Sequence, residues 1–216
     1  MKLAPSILSC NFSNVAKAVS QVDELGLEYL HLDVMDGSFV PEITFGAKLI
    51  KDIRRNTNIT FDVHLMVEDV KTAIDDFLTV EPNIITFHLE ACKNKEEVYE
   101  LIKYIKDNNC KVGISVKPDT NIEEIYEFLP YIHLCLVMTV EPGYGGQKLI
   151  PETIEKVKQL KKYIEERNID IDIEVDGGVN LSNKGILINS GVNIIVAGSS
   201  IINSNDYEKV IKEIKK

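Results

Sequence analysis

The sequence predicts an α/β fold, a single (β/α)8 TIM barrel that runs over residues 1–216, and three observations predict it. A short β-branched or apolar run followed by a charged, helical stretch recurs eight times. Strands separated by helices pair in parallel through right-handed crossovers, and eight such units fit a closed barrel near the short end of its size range. No linker or shift in composition divides the chain. The rival, an open doubly wound sheet, wants a glycine-rich loop after its first strand. Here that loop is "PSILSCNFS", which holds no glycine.

In order, the strand candidates are "KLAPSIL", "YLHLDVM", "ITFDVHLM", "NIITFHLE", "KVGISVK", "LCLVMTV", "IDIEVDGG" and "NIIVAGSS". The stretches "NVAKAVSQVDEL", "EEVYELIKYIKDN" and "PETIEKVKQLKKYIEER" carry apolar residues at helical spacing. Asn121 with Glu124 reads as a capping-box variant, and Pro151 suits a first helical position. Lys209, Lys212, Lys215 and Lys216 alternate with apolar residues as the wet face of a last helix.

Composition bounds the function. Hydrophobic content of 44% beside 27% charged residues is that of a soluble globular protein. No apolar run approaches the roughly 20 residues that span a bilayer. The stretch "MKLAPSILSCNF" is too short and too broken by Pro5 and Ser6 for a signal peptide, so a cytoplasmic setting is expected. A net charge of −10 argues against a nucleic-acid binder, which needs a basic surface. It does not forbid an anionic substrate, because backbone N–H groups bind phosphate locally. Cys10, Cys92, Cys110 and Cys135 form no CxxC pair and read as reduced thiols.

In a (β/α)8 barrel the site lies at the C-terminal ends of the strands, and side chains alternate in and out with period two. In "YLHLDVMDG", His31, Asp33 and Met35 therefore share the interior face, while Leu30, Leu32 and Val34 face the helices. Asp36 has the opposite parity and precedes Gly37, so it is a turn residue. The same phasing groups Asp62, His64 and Met66 on the third strand, and Leu134, Leu136 and Met138 on the sixth. On the seventh it groups Asp172, Glu174 and Asp176. Two histidines and two carboxylates, His31, Asp33, His64 and Asp176, thus converge at one mouth. They suit a divalent ion, Zn2+, Mn2+, Fe2+ or Co2+, or alternatively a hydrogen-bonded polar cluster without metal.

Glycine loops supply a second signal. "EPGYGGQ" follows the sixth strand, "DGG" ends the seventh and "AGSS" the eighth. Gly143, Gly145, Gly146, Gly177, Gly178, Gly198 and Ser199 can bring backbone N–H groups to a phosphate.

The chain resembles the ribulose-phosphate 3-epimerase family in "LAPSILSCNF", "HLDVMDGSFVP", "DVHLMV", "TFHLEA", "MTVEPGYGGQK", "EVDGGV" and "VAGSS", in the family's order and over essentially its whole length. The resemblance implies interconversion of D-ribulose 5-phosphate and D-xylulose 5-phosphate in the pentose phosphate pathway. It implies one divalent metal ion per subunit, held by His31, Asp33, His64 and Asp176. Asp33 and Asp176 become the acid and base that epimerise C3 through an enediolate. Ser6 and His64 face the substrate, and Gly143, Tyr144, Gly145, Gly146, Gly177, Gly178, Gly198 and Ser199 hold the sugar and its phosphate. A homo-oligomer is implied as well. Met35, Met66 and Met138 would form an apolar wall around the intermediate, although core filling is the usual role of methionine. The chain departs from the family at Glu42, at Tyr144, and at Ile201 and Ile202, where the family often carries asparagine, phenylalanine and an aromatic.

Two other functions stay open on the residues: an allulose 6-phosphate 3-epimerase, and a non-catalytic sugar-phosphate binder. Lys117, ending the fifth strand, could serve a Schiff-base aldolase. His88 and Glu90 read as buried partners of the site, and His133 as a loop residue.

Overall fold

The computed structural model describes residues 1–202, 204 and 206–215. Its strands are β1 (Lys2–Pro5), β2 (Tyr29–Met35), β3 (Thr60–Met66), β4 (Ile84–His88), β5 (Lys111–Val116), β6 (Leu134–Met138), β7 (Asp172–Asp176) and β8 (Ile194–Ala197). All the pairings are parallel, in the order β1-β8-β7-β6-β5-β4-β3-β2. One further parallel bridge, from Ser6 to His31, joins the two ends of this sheet and nearly closes it into a (β/α)8 barrel.

Two apolar layers confirm the strand parity. Leu30, Leu32 and Val34 of β2, with Phe61, Val63 and Leu65 of β3, belong to the large core between strands and helices. Leu134, Leu136 and Met138 of β6 pack with Ala4, Ile84, Ile194 and Val196 inside the barrel. Ladder register then sets neighbours at the mouth: Asp33 stands beside His64, Met35 beside Met66, and Met138 beside Asp176.

The helices are α1 (Val15–Glu24), α2 (Ala47–Arg54), α3 (Val70–Leu78), α4 (Lys95–Asp107), α5 (Thr153–Arg167), α6 (Lys184–Asn189), α7 (Ser199–Ile202) and α8 (Tyr207–Lys215). Their apolar stripes cover the strands, as Val98, Leu101, Ile102 and Ile105 of α4 show. Asn94 caps α4 by accepting from the Glu97 N–H at 2.9 Å, and Glu97 reaches back to the Lys93 N–H at 2.7 Å. Such a cap stabilises by about 1 kcal/mol.

Several sequence expectations need correction. The segment between β5 and β6 holds two 3-10 turns, Ile122–Ile125 and Leu129–Tyr131, and no α-helix. Asn121 does precede the first turn, but its side chain makes no capping bond. Pro130, inside the second turn, has no N–H to continue a helix. Pro151 lies in a turn ahead of α5, which begins at Thr153. "KLAPSIL" is extended only to Ser6, β1 itself ending at Pro5, after which Ile7–Ser9 turns as a 3-10 helix. On α8, Lys209 and Lys212 are exposed as expected, and Lys212 pairs with Glu208. Lys216 and the Lys215 side chain lie outside the described residues.

Candidate active site

A cavity of about 570 Å³ opens at the C-terminal end of the barrel, lined by Ser6, Asp33, Met35, Met66, Met138 and Asp176 and by the loops after β6, β7 and β8. On its floor one donor atom from each of His31, Asp33, His64 and Asp176 lies within 4.8 Å of the others. The Asp33 Oδ1 is 3.4 Å from the His31 Nε2 and 3.3 Å from the His64 Nδ1. The Asp176 Oδ2 is 4.0 Å from the His31 Nε2. The second Asp33 oxygen accepts from the Ser6 hydroxyl at 2.5 Å, and that hydroxyl in turn accepts from the Leu8 N–H.

The two carboxylates sit in opposed environments. Burial raises the Asp33 carboxyl, but His31 and His64 beside it outweigh burial and hold it well below the usual carboxylate range. Burial, reinforced by the Asp33 charge, pushes Asp176 up to about 6. One carboxylate is thus held firmly as the anion, while the other takes up a proton far more readily, a division that suits acid and base roles. Burial lowers His31, yet Asp33 and Asp62 outweigh it and hold the imidazole well above its ordinary value. The field on the cavity floor therefore draws positive charge.

A further buried polar layer lies behind this cluster. Asp62 Oδ2 is 2.7 Å from the His31 Nδ1, and the Glu174 Oε1 is 3.9 Å from the same nitrogen. Burial, with the Asp62 charge next, raises Glu174 well above its ordinary value. Neither Glu174 oxygen has a hydrogen-bond partner, which fits a neutral carboxyl. His64 Nε2 is 2.9 Å from the His88 Nε2, and His88 Nδ1 is 3.2 Å from the Glu90 Oε2. Burial pushes His88 down to about 4.

The glycine loops meet the cavity from the other side. Gly177 has φ +118, and a Cβ there would stand 2.4 Å from the Val140 Cγ2. Gly178 has φ +66, and its Cβ would stand 2.2 Å from the Leu149 N. Only glycine fits both the backbone angle and the space. Gln147 steadies the loop after β6 by donating to the Glu141 and Tyr144 carbonyls at 2.6 and 2.9 Å.

The model of the ribulose-phosphate 3 epimerase family matches residues 2–202. The chain belongs to the ribulose-phosphate 3-epimerase family. It is 39% identical to the cytoplasmic isoform of ribulose-phosphate 3-epimerase from Oryza sativa, covering 100% of this chain and 93% of that one. It is 38% identical to the ribulose-phosphate 3-epimerase of Bacillus subtilis, covering 100% of this chain and 98% of the relative. The Escherichia coli enzyme of the same name is 39% identical over 99% of this chain and 94% of its own. Among solved structures, 3-keto-L-gulonate-6-phosphate decarboxylase from Vibrio cholerae aligns over 100% of this chain and 95% of its own, with a TM-score of 0.73 and 12% identity. That likeness is one of fold alone. Membership of the ribulose-phosphate 3-epimerase family makes the chain an epimerase.

Within this epimerase, Ser6, Asp33, Met35, Met66, Met138 and Asp176 all border the cavity, as do residues 143–146, Gly177, Gly178, Gly198 and Ser199. His31 and His64 are fully buried beneath Asp33, within the floor of the cavity rather than its walls. Asp36 is a turn residue whose carboxylate accepts from the Ser38, Phe39 and Glu68 N–H groups. Lys117 is not among the residues that line the cavity, and its Nζ lies 3.9 Å over the Phe39 ring. His133 stands before β6 and accepts from the Val112 N–H at 3.2 Å. Sequence reasoning missed Ser9, Gln147, Asn180 and Asn183, which also line the cavity. For the two asparagines a signal existed, since "DGGVNLSN" is a turn-rich run directly after a site strand. All four cysteines are free.

Proposed function

We propose that residues 1–216 act as one catalytic barrel that interconverts D-ribulose 5-phosphate and D-xylulose 5-phosphate at C3. The observation that carries this reading is the pair Asp33 and Asp176, held in opposite protonation environments on the floor of one cavity. Inverting C3 beside the C2 carbonyl needs a proton taken from one face and another delivered to the opposite face. Asp33 and Asp176 are the base and acid, exchanging roles with direction. Ser6 fixes the Asp33 carboxylate through its hydroxyl. Met35, Met66 and Met138, each at most 4% exposed, form an apolar wall that keeps water from the enediolate. Gly143, Tyr144, Gly145, Gly146, Gly177, Gly178, Gly198 and Ser199 bind the sugar and its phosphate, supported by their place on the same cavity.

His31, Asp33, His64 and Asp176 fit a divalent cation. The donor set is two imidazoles and two carboxylates, their atoms fall within 4.8 Å of one another, and the local field favours positive charge. When bound there, a divalent ion (Zn2+, Fe2+, Mn2+ or Co2+) supplies Lewis-acid stabilisation of negative charge on the substrate oxygens. A cytoplasmic setting fits the name of the rice relative and the free cysteines. Among the described residues no helix is long and apolar enough to cross a membrane. A homo-oligomer rests on the family resemblance.

The test is solvent deuterium incorporation at C3 of ribulose 5-phosphate, followed in the wild type, Asp33→Asn and Asp176→Asn. Exchange is expected in the wild type and lost in both variants. Unchanged exchange in both would remove the two-carboxylate mechanism. A wild type that binds the substrate without exchange would be a binder only, and a preference for allulose 6-phosphate would move the substrate to the hexuloses.

A further inference from the structure

His64 is tied to the rest of the barrel through the nitrogen that faces away from the cluster. Its Nε2 lies 2.9 Å from the His88 Nε2, and the His88 Nδ1 lies 3.2 Å from the Glu90 Oε2. The other Glu90 oxygen accepts from the Lys117 N–H at 2.7 Å and from the Thr120 hydroxyl. The chain of contacts thus starts on β3, crosses the end of β4 and the turn Leu89–Ala91, and ends on the backbone that follows β5.

Each link constrains the next. The Lys117 N–H and the Thr120 hydroxyl occupy one Glu90 oxygen. Burial raises this carboxyl, but His88 and these two donors outweigh it and hold it down to about 2, so the oxygen facing His88 is an acceptor too. An acceptor carboxylate facing the His88 Nδ1 requires the proton on that nitrogen. A neutral imidazole has a single N–H, so the His88 Nε2 is then an acceptor. The His64 Nε2 must donate to it, which leaves the His64 Nδ1 as a bare lone pair. That nitrogen is 3.3 Å from the Asp33 Oδ1 and 3.4 Å from the His31 Nε2. His31 is held in the opposite sense, by Asp62 Oδ2 at 2.7 Å from its Nδ1, which turns its Nε2 toward the cluster. The His64 lone pair and the Asp33 oxygen, crowded at this distance, repel one another unless a cation lies among them.

We propose that Glu90, acting through His88, is a positioning residue that fixes His64 in the Nε2–H tautomer and so turns its Nδ1 toward the cation of the site. The inference deepens the metal-centre reading above and rests on it. Outer partners of ligating histidines commonly change metal affinity 10–100-fold when removed. The relay is shielded, since both histidines are fully buried and the Phe39 ring packs 4.9 Å from that of His88.

Glu90→Gln reverses the logic with little change in shape. If its amide NH2 faces His88, the His88 Nδ1 becomes the acceptor and His64 is driven to the Nδ1–H form, which cannot ligate through that atom. If instead the amide oxygen faces His88, the NH2 opposes the Lys117 N–H, and the link loosens.

The decisive measurement is the two-bond 1H–15N correlation pattern of the four imidazoles in the metal-free, 15N-labelled wild type, paired with Zn2+ affinity by competition against a chelating dye. His64 is expected as the Nε2–H tautomer and His88 as Nδ1–H, with His31 carrying a proton on its Nδ1. Glu90→Gln is expected to scramble the His64 pattern and to bind Zn2+ about 10-fold more weakly or worse. A wild-type His64 in the Nδ1–H form overturns the proposal, and this reading needs no variant to fold. So does a folded Glu90→Gln that binds Zn2+ as the wild type does. A wild type with the expected tautomers that binds no divalent ion instead overturns the metal centre, and with it the purpose of the relay.

Discussion

His31, Asp33 and His64 are carried by strands and are at most 2% exposed, whereas Tyr144, Gly145 and Gly146 are carried by a loop open to solvent. Both sets serve one cavity mouth, but different forces position them. The strand-borne half is over-determined: ladder hydrogen bonds fix register, and each imidazole is also held by a polar partner behind it. The loop-borne half is set by what backbone angles and close approaches allow, with Gly178 abutting the Leu149 backbone. The proposed acid–base chemistry would thus sit on the rigid barrel and the proposed anion binding on its adaptable rim, the division that this fold permits generally.

Substitutions can break or sharpen that contrast. The largest effect is expected from Asp176→Asn and Asp33→Asn, which change charge but hardly shape. A fall in kcat on the order of 10²–10⁴-fold is expected with the fold retained, checked by a coupled rate assay beside circular dichroism. Next comes Gly178→Ala, whose Cβ meets the Leu149 N at 2.2 Å in a left-handed backbone. Denaturant unfolding should show a loss of about 1–3 kcal/mol, and KM for the sugar phosphate should rise. Gly145 is the control, because a Cβ there meets nothing nearer than Ser9 Oγ at 3.6 Å. Equal losses at the two glycines would erase the distinction drawn for the rim.

A smaller effect is expected for Met66→Leu, a volume-conserving change that should cost less than about 1.5 kcal/mol. If the methionine wall excludes water from the intermediate, kcat falls while stability holds; a kcat that does not move leaves Met66 as packing alone. The smallest effect belongs to Lys117→Met, which removes a cation over the Phe39 ring worth about 0.5–1 kcal/mol. Borohydride with a ketose phosphate should trap no adduct on the wild type. A covalent adduct at Lys117 would favour the aldolase.

The strand-borne half was legible in the sequence because period-two alternation is a local rule. Parity alone separates Asp33 from Asp36, and the structure agrees: Asp33 joins the cluster, while Asp36 staples the turn after β2 to the Glu68 backbone. Depth was not legible. Whether His64 lies in a wall of the cavity or in its floor beneath Asp33 depends on strand tilt and on register across β2 and β3, which no single strand encodes. The link from His64 to Glu90 was hidden for the same reason, since it crosses three strands. The missing helix between β5 and β6 reflects a different failure: Asn121 with Glu124 resembled a helix start, but the segment is short and is broken by Pro130.

The bridge between Ser6 and His31 has a consequence for assembly of the molecule. Seven strand pairs are joined by ladders of two or more residues, while the ends of the sheet meet through this single bridge. The seam of the barrel therefore runs through the active site, where Ser6 also holds the Asp33 carboxylate. The same residue thus seals the barrel and orients the carboxylate proposed as its acid or base, so loss of the seam would also release Asp33.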